Sequence, residues 1–186
     1  MTRLKSCAAL AAATLVAACA VLAPTGERPG GPGPFDLIGR VAVSYDGRAF
    51  SSSVRWQHSQ ERDEIWLLTP VGQTLAHIVG DAEGATLTGA DQKQYRAASV
   101  ESLTRHALGW ELPLTRLTWW VRGEIAPGVT PQGVERDERA RLTALNQDGW
   151  RIAFVYYPPQ EHGGLPRRLE LASGASEIRL LIDGWR

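Results

Sequence analysis

Cys19 is the residue of this chain whose surroundings select a covalent chemistry. It follows Val16-Ala17-Ala18, which close an apolar run beginning at Ala8, and Arg3 and Lys5 stand ahead of that run. A basic start, a short apolar core and small residues before a cut are the pattern of a removable secretory segment, and this core is too short to span a bilayer. The thiol would then sit at a new N-terminus. The other cysteine, Cys7, lies inside the discarded segment, so neither a disulfide framework nor a thiolate metal site is open to the mature chain. Elsewhere the reactive types are scattered. His58, His77, His106 and His162 are widely separated, and no two share the helical i, i+4 spacing of a metal site. Asp63-Glu64 and Asp137-Glu138 are adjacent, so on a strand they point to opposite faces and suit turns better than paired acid–base work. There is no Gly-x-Ser-x-Gly elbow, no His-Glu-x-x-His and no phosphate loop. The reading is of a protein without catalytic residues, metal or cofactor.

Val16-Ala17-Ala18-Cys19 resembles the bacterial lipobox, with Val16 where leucine is commoner. That resemblance implies a thioether-linked diacylglycerol on Cys19 and acylation of the new N-terminus. Each buried methylene of such chains contributes about 0.8 kcal/mol, so three chains hold a protein to a membrane essentially permanently. Ala20 stands where an aspartate would retain a lipoprotein at the inner membrane, which implies the outer membrane, periplasmic side. Residues 1–18 are then a signal peptide. Residues 19–34 are a lipidated N-terminus and flexible tether, because positions 20–34 hold four prolines and four glycines in fifteen residues and are not expected to pack. Residues 35–186 form one domain with a substantial core.

Loss of Arg3 and Lys5 with the signal leaves 18 basic residues against 20 acidic ones, a net charge of −2. No Lys/Arg cluster tracks phosphates, which argues against a nucleic-acid partner.

Positioning falls to strands. From Phe35 onward, period-two alternation recurs in short runs broken by turn residues, the pattern of an antiparallel sheet with one buried face. In Ala49 to Gln57, Phe50, Ser52, Val54 and Trp56 share one face while Ser51, Ser53 and Arg55 share the other. Similar runs are Asp36 to Ser44, Glu64 to Thr69, Thr74 to Gly80, Ala85 to Gly89, Lys93 to Ala97, Arg139 to Asn146, Trp150 to Tyr157, Arg167 to Ala172 and Glu177 to Asp183. Asp148-Gly149 is a hairpin turn signal. About ten strands in order suggest a meander. Only the middle breaks the rhythm. Ser99 suits the cap of a helix with Val100, Leu103, Ala107 and Leu108 on one side, and Pro113 opens a second helix with Leu114, Leu117, Trp120 and Val121 on one stripe. A curved sheet crossed by such helices is a half-open barrel with a lid, whose interior exceeds what side chains fill.

Seven tryptophans are many for one small domain. They are ordinary core, or some of them border an apolar ligand cavity: Trp56 and Trp150 on strand faces and Trp120 on the lid, with Phe50, Val54, Leu117 and Phe154 as neighbours. The loop Thr69-Pro70-Val71-Gly72-Gln73 has two readings as well. Val71 either folds into the core or presents an apolar tip to a membrane.

Several stretches, in order, are similar to the LolB family of outer-membrane lipoproteins. They are Gly39-Arg40-Val41-Ala42-Val43, Trp56-Gln57, Leu68-Thr69-Pro70-Val71-Gly72 with Thr74, Leu112-Pro113-Leu114, Leu117 to Gly123, Leu169-Glu170-Leu171, Ile178-Arg179-Leu180 and Asp183-Gly184-Trp185. The resemblance implies a mainly β fold: a curved antiparallel half-barrel of about eleven strands, with a helical lid over an apolar cavity for acyl chains. It also implies a protruding loop with a leucine at its tip, which carries over onto Thr69 to Gln73 with Val71 in the leucine's place. The family's tryptophans match Trp56, Trp120, Trp150 and Trp185. The implied work is that of a monomeric receptor, not an enzyme. Its partners would be acylated lipoprotein cargo, a periplasmic lipoprotein carrier and outer-membrane lipid. A structural or other lipid-binding lipoprotein without transfer activity would share the anchor.

Overall fold

The computed structural model describes residues 32–186; the signal peptide, Cys19 and most of the tether lie outside the described residues. One sheet holds eleven strands: β1 (Phe35–Tyr45), β2 (Arg48–His58), β3 (Arg62–Leu68), β4 (Thr74–Asp81), β5 (Gly84–Gly89), β6 (Gln94–Ala97), β7 (Gln132–Arg136), β8 (Leu142–Gln147), β9 (Trp150–Tyr156), β10 (Pro166–Ser173) and β11 (Ser176–Trp185). Between β6 and β7 come helices α1 (Val100–Leu108) and α2 (Leu114–Trp120). The mainly β, antiparallel half-barrel with a helical crossing is what the sequence led us to expect.

The strand order is β6-β5-β4-β3-β2-β1-β11-β10-β9-β8-β7. This corrects the plain meander. Two meanders lie side by side, β1 pairs with β11 at the centre, and β6 and β7 become the two outer edges because the helical segment separates them. The central pair is unusually close. β1 and β11 shift register between Ile38 and Gly39, and a Cβ on Gly39 would stand 2.2 Å from the Leu181 carbonyl oxygen. Only glycine permits that approach.

Alternation decides which face is dry. Leu37, Val54, Trp56, Ile65, Ile78, Leu171, Ile178 and Ile182 are buried, while neighbours such as Arg40, Ser53, Arg55, Glu170 and Arg179 are partly or fully exposed on the other face. β7 has no such pattern. All five of its residues are exposed and its pairing with β8 is irregular, so no periodicity announced it. The run expected from Arg139 starts at Leu142 instead, because the Asp137 carboxylate accepts from the Arg139 and Arg141 N–H groups and holds residues 137–141 as a turn.

Ser99 caps α1 with a reciprocal Ser99/Ser102 pair, and Gly109 ends it. The buried side of α1 is Val100, Leu103 and Thr104, with Leu108 39% exposed. Thr104 is buried because its hydroxyl donates to the Val100 carbonyl and accepts from the Leu112 N–H. On α2, Leu114, Leu117 and Trp120 are buried, and Val121 just after it is too.

The N-terminal end of the domain also differs from expectation. Pro32 is buried, His58 Nε2 lies 3.3 Å from its carbonyl oxygen, and the Arg122 guanidinium passes over Gly33. The last residues of the supposed tether are packed because they find partners on β2 and beyond α2.

Candidate functional site

An apolar cavity of about 60 Å³ lies between the sheet and the helices. Its floor comes from five strands: Val41 and Val43, Phe50, Val54 and Trp56, Ile65 and Leu67, Ile78, then Ile178 and Leu180. Its roof is Thr104, Leu108, Trp110, Leu112 and Leu117. Among the described residues no charged side chain lines it. Phe50 and Leu108, 40% and 39% exposed, border it where it meets solvent.

Four of the seven residues singled out from sequence meet there: Phe50, Val54, Trp56 and Leu117. Trp120, Trp150 and Phe154 do not, which corrects the single volume expected for the three tryptophans. Trp120 is fully buried with its Nε1–H donated to Gln147 Oε1 at 2.9 Å. Trp150 borders a separate shallow groove with Asn146, Gln147 and Ser173. Phe154 is buried and stacks on Tyr156, ring centroids 6.3 Å apart. These three belong to β9 and α2, on the other side of the β1–β11 seam from most of the cavity floor.

Trp56 and Gln147, on either side of the seam, have their polar groups partnered. Trp56 donates its indole N–H to Asp63 Oδ1 at 2.6 Å, and the same oxygen lies 2.9 Å from His58 Nδ1. The indole is thus satisfied at its edge and free to offer its apolar face. The Gln147 amide is engaged at both ends. Its Oε1 accepts from Trp120 and from the Ala126 N–H, and its Nε2 donates to the Ala126 and Val129 carbonyls. That clasp fixes α2 and the segment after it to β8. Glu101 ties the helices together by accepting from the Thr115 N–H and hydroxyl at 2.9 and 2.8 Å.

The second part of the site is the β3–β4 hairpin. The Gly72 N–H donates to the Thr69 carbonyl, and the Thr69 N–H donates to the Gln73 carbonyl at 2.8 Å. The Thr69 hydroxyl accepts from the Gln73 N–H. With Gly72 at φ +84°, this is a three-residue loop closed by a left-handed glycine, a position that side-chain-bearing residues fill at a cost. Pro70 and Val71 form its outer turn, and Val71 is 82% exposed. The reading in which Val71 folds into the core does not hold. The loop base is tied down by Ser52, whose hydroxyl donates to the Leu68 carbonyl and accepts from the Leu68 N–H, each at 2.9 Å. Ser53 pairs with Leu68, so Phe50 and Val71 each lie three residues further toward the same rim. The exposed tip and the open side of the cavity share one end of the sheet.

Sequence reasoning missed Gln147, Ser52 and the cavity residues of β3, β4 and β11. A serine on an otherwise dry strand face was the available signal for Ser52. Nothing local marked the others.

Among the described residues no cluster of three potential metal ligands occurs, and no helix is long and apolar enough to cross a membrane. Comparison with known proteins agrees with the resemblance read from the motifs. The family model described as outer membrane lipoprotein LolB matches residues 33–185. An outer-membrane lipoprotein LolB of Nitrosomonas europaea is 42% identical over 155 residues, 82% of this chain and 73% of its own. One from Chromobacterium violaceum is 35% identical over 181 residues, 95% of this chain and 96% of its own. Among solved structures, a LolA superfamily protein from Nitrosomonas europaea aligns with a TM-score of 0.49 and 10% identity over 83% of this chain and 86% of that one. A match spanning all but the two end residues of the described domain, together with relatives this similar over more than four-fifths of the sequence, shows that the chain belongs to the outer-membrane lipoprotein LolB family.

Proposed function

We propose that this protein is anchored by lipid on Cys19 to the periplasmic face of the outer membrane. There it accepts acylated lipoproteins from a periplasmic carrier, shields their chains in the apolar cavity and inserts them into the membrane. The observation that carries this reading is one domain holding both a cavity with no charged lining and, at the same end of the sheet, an exposed hydrocarbon tip at Val71.

The physical need is large. A sixteen-carbon chain in water costs on the order of 12 kcal/mol by methylene counting, so every hand-over requires a dry site. At about 60 Å³ the cavity is open at one side but too small for an acyl chain, since ligand pockets run to roughly 300–1,000 Å³. Cargo must therefore displace the roof. The displaced side chains, chiefly Leu108, Trp110 and Leu112, exchange contacts with the floor for contacts with the acyl chain, so opening does not leave their apolar surface in water. No nucleotide-binding motif is present in the sequence, and transfer runs downhill from carrier to cavity to bilayer. The protein acts as a relay rather than an enzyme.

The test is a transfer assay. A carrier–lipoprotein complex is mixed with the domain lacking its anchor, and cargo is followed by co-purification. Movement of cargo to the domain is expected; retention by the carrier under all conditions would instead favour a structural lipoprotein.

A further inference from the structure

A groove of about 380 Å³ lies on the face of the sheet turned away from the apolar cavity and runs up to the β3–β4 loop. Its lining includes Arg40, Ala42, Ser51, Ser53, Pro70 and Arg179. The register brings the strand residues together. Arg40 pairs with Ser53, and Ala42 pairs with both Ser51 and Arg179, so all five share the outward face. Ala42, Ser51 and Ser53 are small and leave the hollow between them. Arg40 pairs with Leu181 across β1 and β11, which makes Arg40 and Arg179 diagonal neighbours, roughly 7–8 Å apart along the backbone.

The fold leaves donors of this groove unused. Arg40 donates from Nε and Nη2 to Asp183, at 3.1 and 2.9 Å, and its remaining N–H groups meet no acceptor among the described residues. Arg179 keeps Nε 3.2 Å from Glu170 Oε1, an oxygen that Arg168 also approaches at 3.5 Å. Among the described residues the terminal nitrogens of Arg179 and the hydroxyls of Ser51 and Ser53 make no hydrogen bond. Two guanidinium forks and two hydroxyls around one hollow are a donor set for phosphate, whose oxygens accept several charge-assisted bonds at once. Three guanidinium groups here stand beside only two carboxylates, Asp183 and Glu170. That mixed field suits a headgroup bearing both signs better than a dense polyanion.

We propose that this groove binds the phosphate of a membrane phospholipid headgroup, with Arg40 and Arg179 as its principal donors. Pro70 is the link between groove and tip, because it lines the one and directly precedes Val71, 82% exposed, in the other. An apolar tip seated about 5–10 Å into the boundary between headgroups and acyl chains has lipid phosphates level with its base, which is where the groove opens. A tip alone leaves the domain free to turn about its point of entry. A phosphate held on one side of the loop fixes that rotation, and with it the direction in which the cavity faces. This rests on the reading of the loop as membrane-facing.

The experiment uses the full chain with Cys19→Ala, so that no lipid anchor contributes, and two kinds of vesicle with the same acyl chains. One is phosphatidylcholine, which carries phosphate without net charge; the other is a phosphate-free glycosyl diacylglycerol. Co-flotation reads the bound fraction. The chain should bind the phospholipid vesicles roughly fivefold or more tightly than the glycolipid ones. Arg40→Gln with Arg179→Gln should abolish that preference and leave glycolipid binding unchanged. If circular dichroism shows this pair unfolded, Arg40→Lys with Arg179→Lys, which keeps the charges and loses the forks, should narrow the preference instead. Absence of a preference overturns the proposal, as does a preference that survives these changes. So does an equal loss in Arg62→Gln with Arg139→Gln, two exposed arginines outside the groove. Millimolar inorganic phosphate should leave the preference intact; if it abolishes it, the groove takes free phosphate and the lipid assignment is wrong. Val71→Glu keeps the two readings apart, since it should weaken binding to both vesicles. If it does so while the glutamine pair behaves as wild type, only the groove fails; if it binds both normally, the membrane-facing loop fails and the proposal with it.

Discussion

At Val71 a single side chain separates holding cargo from delivering it. Its hydrocarbon stands outside the core on a loop closed by its own hydrogen bonds and by Ser52 at its base. A charge there alters what the tip can enter without touching the packing. Val71→Glu is expected to keep wild-type stability within about 0.5 kcal/mol, as surface substitutions do, to accept cargo and to fail to release it into liposomes. Flotation, counting cargo with the vesicles against cargo still bound, decides this; normal delivery would remove the loop from the mechanism. Val71→Leu adds one methylene of contact, about 0.8 kcal/mol, and should deliver at least as well. Trp56 gives the second residue-level test. Its ring borders the cavity with its N–H committed to Asp63, so a long-chain fatty acid should change tryptophan emission and Trp56→Phe should diminish the response. Trp120→Phe should not, because Trp120 lies off the cavity, against Gln147. Equal losses in the two variants would return Trp56 to plain core.

At the scale of elements, the two helices are fastened unequally. α2 is clasped by the Gln147 amide and by the Arg116–Asp148 ion pair. α1 rests on apolar contacts and on Glu101. Gln147→Leu would leave the Trp120 and Ala126 N–H groups buried without acceptors, at about 1–3 kcal/mol each. A loss of roughly 3 kcal/mol is therefore expected in urea unfolding, read as a lower midpoint at unchanged slope. Glu101 adds a pH dependence. Burial pushes its carboxyl up, but hydrogen bonds from the Thr115 N–H and hydroxyl outweigh that and hold it below its ordinary 4.5. A depressed folded value means that its stabilisation is present above about 4.5 and is lost as pH falls through the lower folded value. The stability difference between wild type and Glu101→Gln should be flat at neutral pH and shrink in that acid window; a difference that persists unchanged below it would show that the carboxylate charge plays no part.

For the whole molecule, anchor and cavity are separable. Cys19→Ala is expected to release the protein to the soluble periplasmic fraction while the domain still accepts cargo, because the cavity is lined by strand and helix residues of the domain, from Val41 to Leu180. Fractionation and mass spectrometry of the wild-type N-terminus check the first part, and an unmodified Cys19 would contradict it. Much of this architecture was legible in local sequence. Val54 and Trp56 alternating with Ser53 and Arg55 mark a strand with one dry face, Ser99 and Gly109 bracket a helix, and Pro70 with Gly72 bracket a turn. Each of these is set by the conformational preferences of a few adjacent residues. What the tertiary structure alone decided is non-local. The β1–β11 pairing joins residues more than a hundred positions apart through the space left by Gly39. The division of the tryptophans between cavity and packed interior depends on that seam, and the packing of Pro32 depends on His58 from β2 meeting it at the rim. Local periodicity states which way a side chain faces along its own strand; which other side chains it meets is settled only when every strand has found its register, and that is a property of the whole packed core.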